Sequence, residues 1–273
     1  MKKLNAEELG CKANEIRLSA MEMGKEAGGA HLGGGLSSMD IMTALYFNVM
    51  NIDPLKPDMP DRDRFILSAG HKAVGYIPVL AEAGYFSKDL LSTFNKLDSP
   101  FGMHPDMHKI SGCEASTGSL GHGLPMAIGM AIALRMDKNP ARLFVLLGDG
   151  ESHEGTVWEA AMGAAQHKLD NLTVIVDYNK CSMDGPIDEI VSLEPLTEKW
   201  TSFGWNVIRV DGHSMPELLD AFAKAAKQKG PTAVIADTLK GKGMPFAEGD
   251  YRWHYGCPSD EQIDETRNYL EGK

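Results

Sequence analysis

Five short apolar runs, separated by longer stretches with helical spacing, organise this chain of 273 residues. The runs are rich in Val, Ile, Leu and Phe and lack strict alternation, as expected of parallel strands covered by helices on both faces. They predict strands over residues 64–68, 142–147, 172–177, 205–210 and 232–237. The intervening spacing predicts helices over residues 6–23, 38–49, 73–82, 124–136, 156–168 and 216–227. This alternation predicts an α/β fold with a doubly wound, mainly parallel sheet.

Polar and glycine residues follow each predicted strand, and they are the first functional signal in the sequence. In chain order these segments read SAGH, GDG, DYN, VDGH and DTLKGKG. Ligands of open α/β sheets bind outside the carboxyl ends of the strands. If the strands are parallel, these segments share one edge of the sheet, where they can form a site.

Composition and charge narrow the class of protein. The chain has 27 Lys and Arg against 38 Asp and Glu, a net charge of −11 without a long basic run, which argues against a nucleic acid partner. No apolar segment is long enough to span a bilayer, and no signal peptide is recognisable. No C-x-x-C pair occurs, which predicts a reduced protein without disulfides or structural zinc. The four cysteines lie far apart, at Cys11, Cys113, Cys181 and Cys257. We therefore expect a soluble cytoplasmic protein.

The stretch FVLLGDGESHEG places Asp149 between two glycines at the end of a predicted strand. Asn179 follows the next strand 30 positions later (179 − 149), the length of one strand–helix–strand unit. If the two strands are neighbours, a carboxylate and an amide oxygen meet in an incomplete oxygen set that suits Mg²⁺. Gly148 and Gly150 would let a diphosphate approach the backbone at a helix N-terminus. The alternative is a simple turn, with Asn179 as another turn residue.

A second glycine cluster and a set of histidines complete the candidate chemistry. STGSLGHGLPMAIGMA, residues 116–131, opens a predicted helix and suits close backbone approach or packing through small residues. It does not match the dinucleotide-binding or P-loop motif. A lone histidine is usually a surface residue or one whose hydrogen bonds are satisfied within the protein. The spacing of the histidines here does not complete a zinc site. Proton transfer and recognition of hydroxyl groups therefore explain this set better than zinc binding does. Five histidines occur in predicted loops with flanking Gly or Pro, namely His31, His71, His104, His122 and His254.

These motifs resemble a known family. GDG followed by 28 residues and then Asn resembles the thiamine diphosphate motif. The chain is similar to transketolase in AHLGGGLSSMDIMTALYF, DRDRFILSAGHKAVGYIPVLAEAGYF, GMHPD, STGSLGHGLPMAIGMA, the block from GDG to DYNKCSMDG, and TLKGKGMPF…WHYG. The stretches occur in family order and span nearly the whole sequence. Full-length transketolases continue into a pyrimidine-binding and a C-terminal domain. The resemblance therefore implies one diphosphate-binding domain over residues 1–273, the N-terminal subunit of a split transketolase with the other domains on a separate chain.

The resemblance also implies a thiamine diphosphate cofactor and Mg²⁺ (or Ca²⁺). In the family, residues matching Asp149, Asn179 and the main-chain carbonyl of Cys181 hold the cation. Besides Gly148, the implied cofactor contacts are His71, Gly118, Leu120, His122, Gly150, Asn179 and Lys240. His122 stands where many members have glutamine. The implied catalytic histidines, which handle the ketose hydroxyls, are His31, His71, His104 and His254, and Glu154 matches a glutamate near the subunit interface.

The implied activity is transfer of a two-carbon glycolaldehyde unit from a ketose phosphate of the xylulose 5-phosphate type to an aldose phosphate of the ribose 5-phosphate type, as in the pentose phosphate pathway. The family's glutamate that activates the aminopyrimidine belongs to the pyrimidine-binding domain, so activity would require a second subunit, most simply in an α₂β₂ assembly. Three alternatives remain: the same chemistry on another sugar, a subunit of a 2-oxo acid decarboxylase or dehydrogenase, or a binding subunit without chemistry. The histidine set favours a sugar over a 2-oxo acid.

Overall fold

The architecture is a five-stranded sheet with the strand order β1-β2-β3-β5-β4. A computed structural model describes residues 2–272. All four neighbouring pairs of strands are parallel. The strands are β1 (Arg64–Leu67), β2 (Leu143–Gly148), β3 (Leu172–Tyr178), β4 (Asn206–Asp211) and β5 (Thr232–Asp237). Each predicted strand is present with its ends shifted by at most one residue, and the predicted α/β, doubly wound class is confirmed.

Helices cover both faces of this sheet. The α-helices are α1 (Ala6–Glu26), α2 (Leu32–Ser37), α3 (Met39–Ala44), α4 (Ala73–Ala83), α5 (Gly123–Met136), α6 (Gly155–Gln166), α7 (Ile187–Ile190), α8 (Leu196–Ser202), α9 (Met215–Ala225) and α10 (Asp260–Leu270). Short 3₁₀ turns occupy Gly70–Lys72, Lys88–Thr93, Gly150–His153 and Tyr251–His254, and one π-turn occupies Leu45–Val49. Along the described residues, none of these helices is long and apolar enough to cross a membrane.

Two apolar cores lie on opposite faces of the sheet. Phe144 of β2 and Val234 of β5 join α1, α3, α4 and α9 in one core. Val145 and Ile235, their neighbours in sequence, join α5, α6 and α8 in the other. Each central strand is thus buried on both sides, which explains why its sequence does not alternate between apolar and polar residues.

The structure differs from the sequence prediction around the glycine-rich stretch LGGGLS. Residues 38–49 are not one helix, because α3 and the π-turn divide them, and residues 32–37, predicted as loop, form helix α2. Glycine disfavours a helix by about 1 kcal/mol relative to alanine. A Cβ on Gly35 would stand 2.7 Å from Cγ1 of Val74, and one on Gly75 would stand 2.4 Å from the carbonyl oxygen of Gly35. The glycines therefore permit close contact between α2 and α4, and this packing outweighs their low helix propensity.

Candidate functional site

The carboxyl ends of β1, β2, β3 and β5 border one cavity of about 390 Å³. Gly148, the last residue of β2, pairs with Asp177 of β3, so the segments that follow these strands lie side by side. The segment after β4 takes no part, because β4 lies at the sheet edge beyond β5. Its His213 instead accepts a hydrogen bond from the amide of Leu239 at 2.8 Å and contacts the Asp40 carboxylate at 2.8 Å.

Most of the predicted site residues lie around this cavity. Its lining includes His31, His71, Gly118, Leu120, Gly148, Asp149, Gly150, Asn179, Cys181, Lys240 and His254. Two predicted residues do not line it and are exposed, His104 and His122. The His104 ring lies 3.6 Å from where a Cβ on Gly118 would stand, which places it at the mouth of the cavity. Nδ1 of His122 lies 3.1 Å from the carbonyl oxygen of Leu120, a residue of the cavity lining.

Asp149 is a buried carboxylate directly after β2. Its Oδ1 accepts from the amide of Gly150 at 2.8 Å, and its Oδ2 accepts from the amide of Lys180 at 2.6 Å. Burial, with the nearby Asp177 carboxylate as the second cause, raises the pKa of Asp149 to about 6. Such a group ionises more readily when a cation is bound beside it, so the environment of Asp149 suits a metal ligand.

The other two predicted cation ligands, Asn179 and Cys181, lie on the segment after β3. Asn179 accepts through Oδ1 from the amide of Cys181 at 3.1 Å, and the carbonyl oxygen of Cys181 faces the ammonium of Lys240 at 3.0 Å. Across residues 2–272, no group of three or more His, Cys, Asp and Glu could hold a metal ion. A carboxylate, an amide and a carbonyl instead offer the hard oxygen ligands that Mg²⁺ and Ca²⁺ prefer, with positions left for water and phosphate. The donor set therefore fits the implied cation.

Lys240 is a buried cation with a fixed position, 2% exposed. Its Nζ donates to the carbonyl oxygens of Cys181 and Ser182, both at 3.0 Å, and lies 3.2 Å from Nδ1 of His254. Burial is the main reason why the pKa of Lys240 is lowered. Lys240 thereby places a positive charge at the wall of the cavity, where it can meet an anion.

Three histidine rings form a cluster beside this wall. The ring centroids of His31, His71 and His254 are 5.3 Å apart in each of the three pairs. Burial first, and neighbouring cations second, lower the pKa of His71 to about 2 and that of His254 to about 4. Burial likewise lowers the pKa of His31. At neutral pH each ring is therefore neutral, with one donor and one acceptor nitrogen. Nδ1 of His31 is buried and has no hydrogen-bond partner among the described residues.

Three buried charged residues of the site were missed from sequence. Glu151 accepts from the hydroxyl of Ser68 and from the amides of Gly121 and Gly148, the latter two at 2.9 and 3.0 Å, and so ties the 116–121 segment to β2. Lys72 and Asp177 form an ion pair in the cavity floor. The only sequence signal was their place directly beside recognised strand ends, in GDGE, SAGHK and VDYN.

Comparisons with known proteins agree with this geometry. Residues 10–272 match the family model described as transketolase, thiamine diphosphate binding domain. A 6-deoxy-6-sulfo-D-fructose transketolase subunit of Clostridium sp. (strain MSTE9) is 44% identical over 243 residues, covering 89% of this chain and 88% of that protein. An apulose-4-phosphate transketolase subunit of Actinobacillus succinogenes is 42% identical over 262 residues, 96% of this chain and 95% of that protein. Human transketolase is 40% identical over 96% of this chain, which covers 42% of the human protein.

Solved structures give the same result for the fold. The transketolase of Campylobacter jejuni superposes with a TM-score of 0.93 at 30% identity, over 98% of this chain and 43% of that one. The transketolase of Leishmania mexicana gives a TM-score of 0.92 at 30% identity, over 98% of this chain and 42% of that one. The chain thus spans less than half of these full-length proteins and nearly the whole length of the relatives that are named subunits.

Proposed function

The chain belongs to the transketolase family of transferases, whose thiamine diphosphate binding domain it carries, and we propose that it is the N-terminal subunit of a two-chain transketolase. It would transfer a two-carbon glycolaldehyde unit from a ketose phosphate to an aldose phosphate. The observation that carries this proposal is the cavity at the ends of β2 and β3, where an oxygen ligand set, a buried lysine and three neutral histidines meet.

Asp149, Oδ1 of Asn179 and the carbonyl of Cys181 would hold Mg²⁺ or Ca²⁺, and the cation would bind the cofactor's diphosphate. Gly148 and Gly150 leave the backbone open on this side, since a Cβ on Gly150 would meet its nearest neighbour only at 3.9 Å. Lys240 would add positive charge, and Gly118, Leu120 and His71 would contact the cofactor, with His122 close by. Bound thiamine diphosphate supplies the carbon nucleophile and the electron sink for cleavage of a carbon–carbon bond.

The histidine cluster would bind the sugar. Because His31, His71 and His254 are neutral, each can form a hydrogen bond with a sugar hydroxyl. Nδ1 of His254 already faces the ammonium of Lys240 at 3.2 Å, so His254 would donate to a hydroxyl oxygen through Nε2. His104, at the mouth of the cavity, would reach the part of the substrate that lies farther out.

The partner would be a chain with the pyrimidine-binding and C-terminal domains, in an α₂β₂ complex. An apolar outer surface on α5 and α6 supports an interface there. Met126, Met136 and Met162 on this surface are 37%, 78% and 55% exposed, and Gly129 of α5 has no atom near its Cβ position. Exposed apolar surfaces of this kind commonly mark protein interfaces. Two relatives of similar length are themselves named transketolase subunits.

The preferred sugar is a separate part of the proposal. We propose xylulose 5-phosphate as donor and ribose 5-phosphate as acceptor, in the cytoplasmic pentose phosphate pathway. A ketose outside that pathway is the second candidate, because two similar proteins are named for 6-deoxy-6-sulfo-D-fructose and apulose 4-phosphate. Residues that would distinguish these sugars are expected in the partner chain, where the family carries its phosphate-binding arginines.

The direct test is a donor panel on the complex captured with the tagged full-length chain from its native cells. Thiamine diphosphate and Mg²⁺ are added with ribose 5-phosphate and one of three donors: xylulose 5-phosphate, 6-deoxy-6-sulfo-D-fructose or apulose 4-phosphate. The matched blank is the complex of Asp149→Ala. We expect glycolaldehyde transfer by the wild-type complex, fastest from xylulose 5-phosphate. Faster transfer from another donor would favour the second candidate, a ketose outside the pentose phosphate pathway. No transfer from any donor would overturn the proposed activity.

A further inference from the structure

A buried ion pair lies in the cavity floor and has no part in the proposal so far. The Nζ atom of Lys72 is 2.5 Å from Oδ2 of Asp177, and the two side chains are 3% and 0% exposed. Asp177 also accepts from the hydroxyl of Ser37 at 2.6 Å and from the hydroxyl of Thr238. These contacts hold the Asp177 carboxylate in place, and the carboxylate in turn fixes the lysine.

The ammonium group of Lys72 has binding capacity that this pair does not use. A lysine carries three N–H donors, and within residues 2–272 the one hydrogen-bond acceptor of Nζ is Asp177. Nζ lies 3.6 Å from where a Cβ on Gly148 would stand, and Lys72 lines the cavity. Its stem packs against Gly34, with Cε 3.2 Å from the Cβ position there. The glycines at 34 and 148 thus admit the lysine and leave its ammonium facing the space above β2.

Stability alone does not account for this arrangement. Moving two charges out of water costs several kcal/mol for each ion, and the pair recovers little net stability. The Asp177 carboxylate lies close to the space where the diphosphate is proposed to bind, and alone it would repel an anion. Lys72 pairs with that carboxylate and itself lines the cavity, so its ammonium offsets the repulsion and can donate directly to a phosphate oxygen.

We propose that Lys72 binds the diphosphate group of the cofactor, donating to a phosphate oxygen above Gly148 with N–H groups that Asp177 leaves free. Asp177 is then a positioning residue that holds the ammonium in place. This inference deepens the proposed function and rests on it, because it assumes that the cavity receives a diphosphate.

The test is calorimetric titration of the full-length chain with inorganic pyrophosphate in the presence of Mg²⁺. Lys72→Met should weaken binding by at least about tenfold, since it removes a charge-assisted hydrogen bond. Lys12→Met is the matched control, because Lys12 forms a partly buried ion pair with Glu82 away from the cavity. It should bind pyrophosphate like the wild type.

A double variant distinguishes direct contact between Lys72 and the phosphate from mere neutralisation of Asp177 by Lys72. It also avoids the unpaired buried charge that could prevent a single variant from folding. Lys72→Met with Asp177→Asn leaves no unpaired buried charge, so it should fold, yet it should still bind at least about tenfold more weakly than the wild type. Wild-type affinity in the double variant would mean that Lys72 only neutralises Asp177, and would overturn the inference. Wild-type affinity in Lys72→Met would overturn it as well. If the wild-type chain itself binds no pyrophosphate with Mg²⁺, the proposed cofactor site fails, and the inference fails with it.

Discussion

The ammonium of Lys240 donates to the carbonyl oxygen of Cys181 at 3.0 Å, so a buried cation contacts one of the three oxygens proposed to hold the metal. The same ammonium also holds the carbonyl of Ser182. Lys240 therefore fixes the segment that follows β3. Its positive charge would also be in place to meet the phosphate of the proposed diphosphate.

Replacing this lysine should loosen the segment and weaken anion binding. In Lys240→Met the two carbonyls lose their donor, at a cost of about 1–3 kcal/mol. We expect faster amide hydrogen exchange over residues 181–184 and at least about tenfold weaker binding of pyrophosphate with Mg²⁺. Lys242→Met is the control, because Lys242 pairs with Glu248 at the surface side of the same turn. Unchanged exchange in Lys240→Met would show that Lys240 does not hold the segment.

The partly buried His71 should make the protein less stable in mild acid. The unfolded chain protonates this histidine near its ordinary pKa of 6.5, whereas burial and Lys72 lower the pKa in the folded chain to about 2. The unfolded state therefore binds more protons below that ordinary value, and the free energy of unfolding falls as the pH falls. From about pH 7.5 to about pH 5, the wild type should lose about 1–2 kcal/mol more than His71→Asn.

Urea unfolding of the cofactor-free chain at several pH values measures this difference. The groups His31, His254 and Asp149 remain in both proteins, so the comparison isolates His71. His108→Asn, at an exposed histidine, should follow the wild-type curve. Parallel pH profiles for the wild type and His71→Asn would contradict the assignment of His71 as a neutral ring in the folded chain.

The crossing of α2 and α4 depends on glycine. A methyl group on Gly75 would lie 2.4 Å from the carbonyl oxygen of Gly35, so Gly75→Ala should lower the free energy of unfolding by about 3 kcal/mol. Gly129→Ala is the matched control: its Cβ meets no atom within 4 Å, and it should stabilise α5 by about 0.5–1 kcal/mol. Urea unfolding of both variants checks this. Equal stability of Gly75→Ala and the wild type would show that the helices can separate without cost.

The apolar surface of α5 and α6 should be required for assembly rather than for folding. Gly129→Lys places a charge on this surface without a steric clash and replaces a helix glycine, so thermal unfolding should occur at the wild-type temperature or slightly above it, while capture of the partner chain is lost. Asn268→Lys on α10 adds the same charge at an exposed position elsewhere and should retain the partner. Partner capture by Gly129→Lys at the wild-type level would place the interface on another surface.

Local sequence patterns predict those parts of the fold and site that are formed by strands consecutive in sequence and adjacent in the sheet. Asp149 and Asn179 follow β2 and β3, which are adjacent and parallel, so their spacing was enough to place them together. Local patterns do not show partners that are distant in sequence. Lys72 and Asp177 are 105 positions apart, and neither has a pattern that points to the other. The glycines of α2 likewise indicate a loop until their contact with α4 is known.

The strand order explains the remaining difference at the site. VDGH resembles the other strand ends, although its His213, at a predicted turn, is interpreted from the sequence as structural. Because β5 lies between β3 and β4, His213 lies outside the cavity, where it contacts Asp40 and Leu239. Order within a sheet depends on how all the helices pack, so the local sequence after β4 does not contain this information.

The measurement that tests the central claim most directly is titration of thiamine diphosphate, with Mg²⁺, into the complex of the chain with its partner. The wild type should bind about one equivalent, and Asp149→Asn should bind at least about a hundredfold more weakly, because it removes the charged ligand of the cation. Thiamine without the diphosphate should also bind far more weakly to the wild type. Equal affinity in Asp149→Asn, or equal affinity for thiamine and thiamine diphosphate, would show that the cavity does not hold a metal-bound diphosphate.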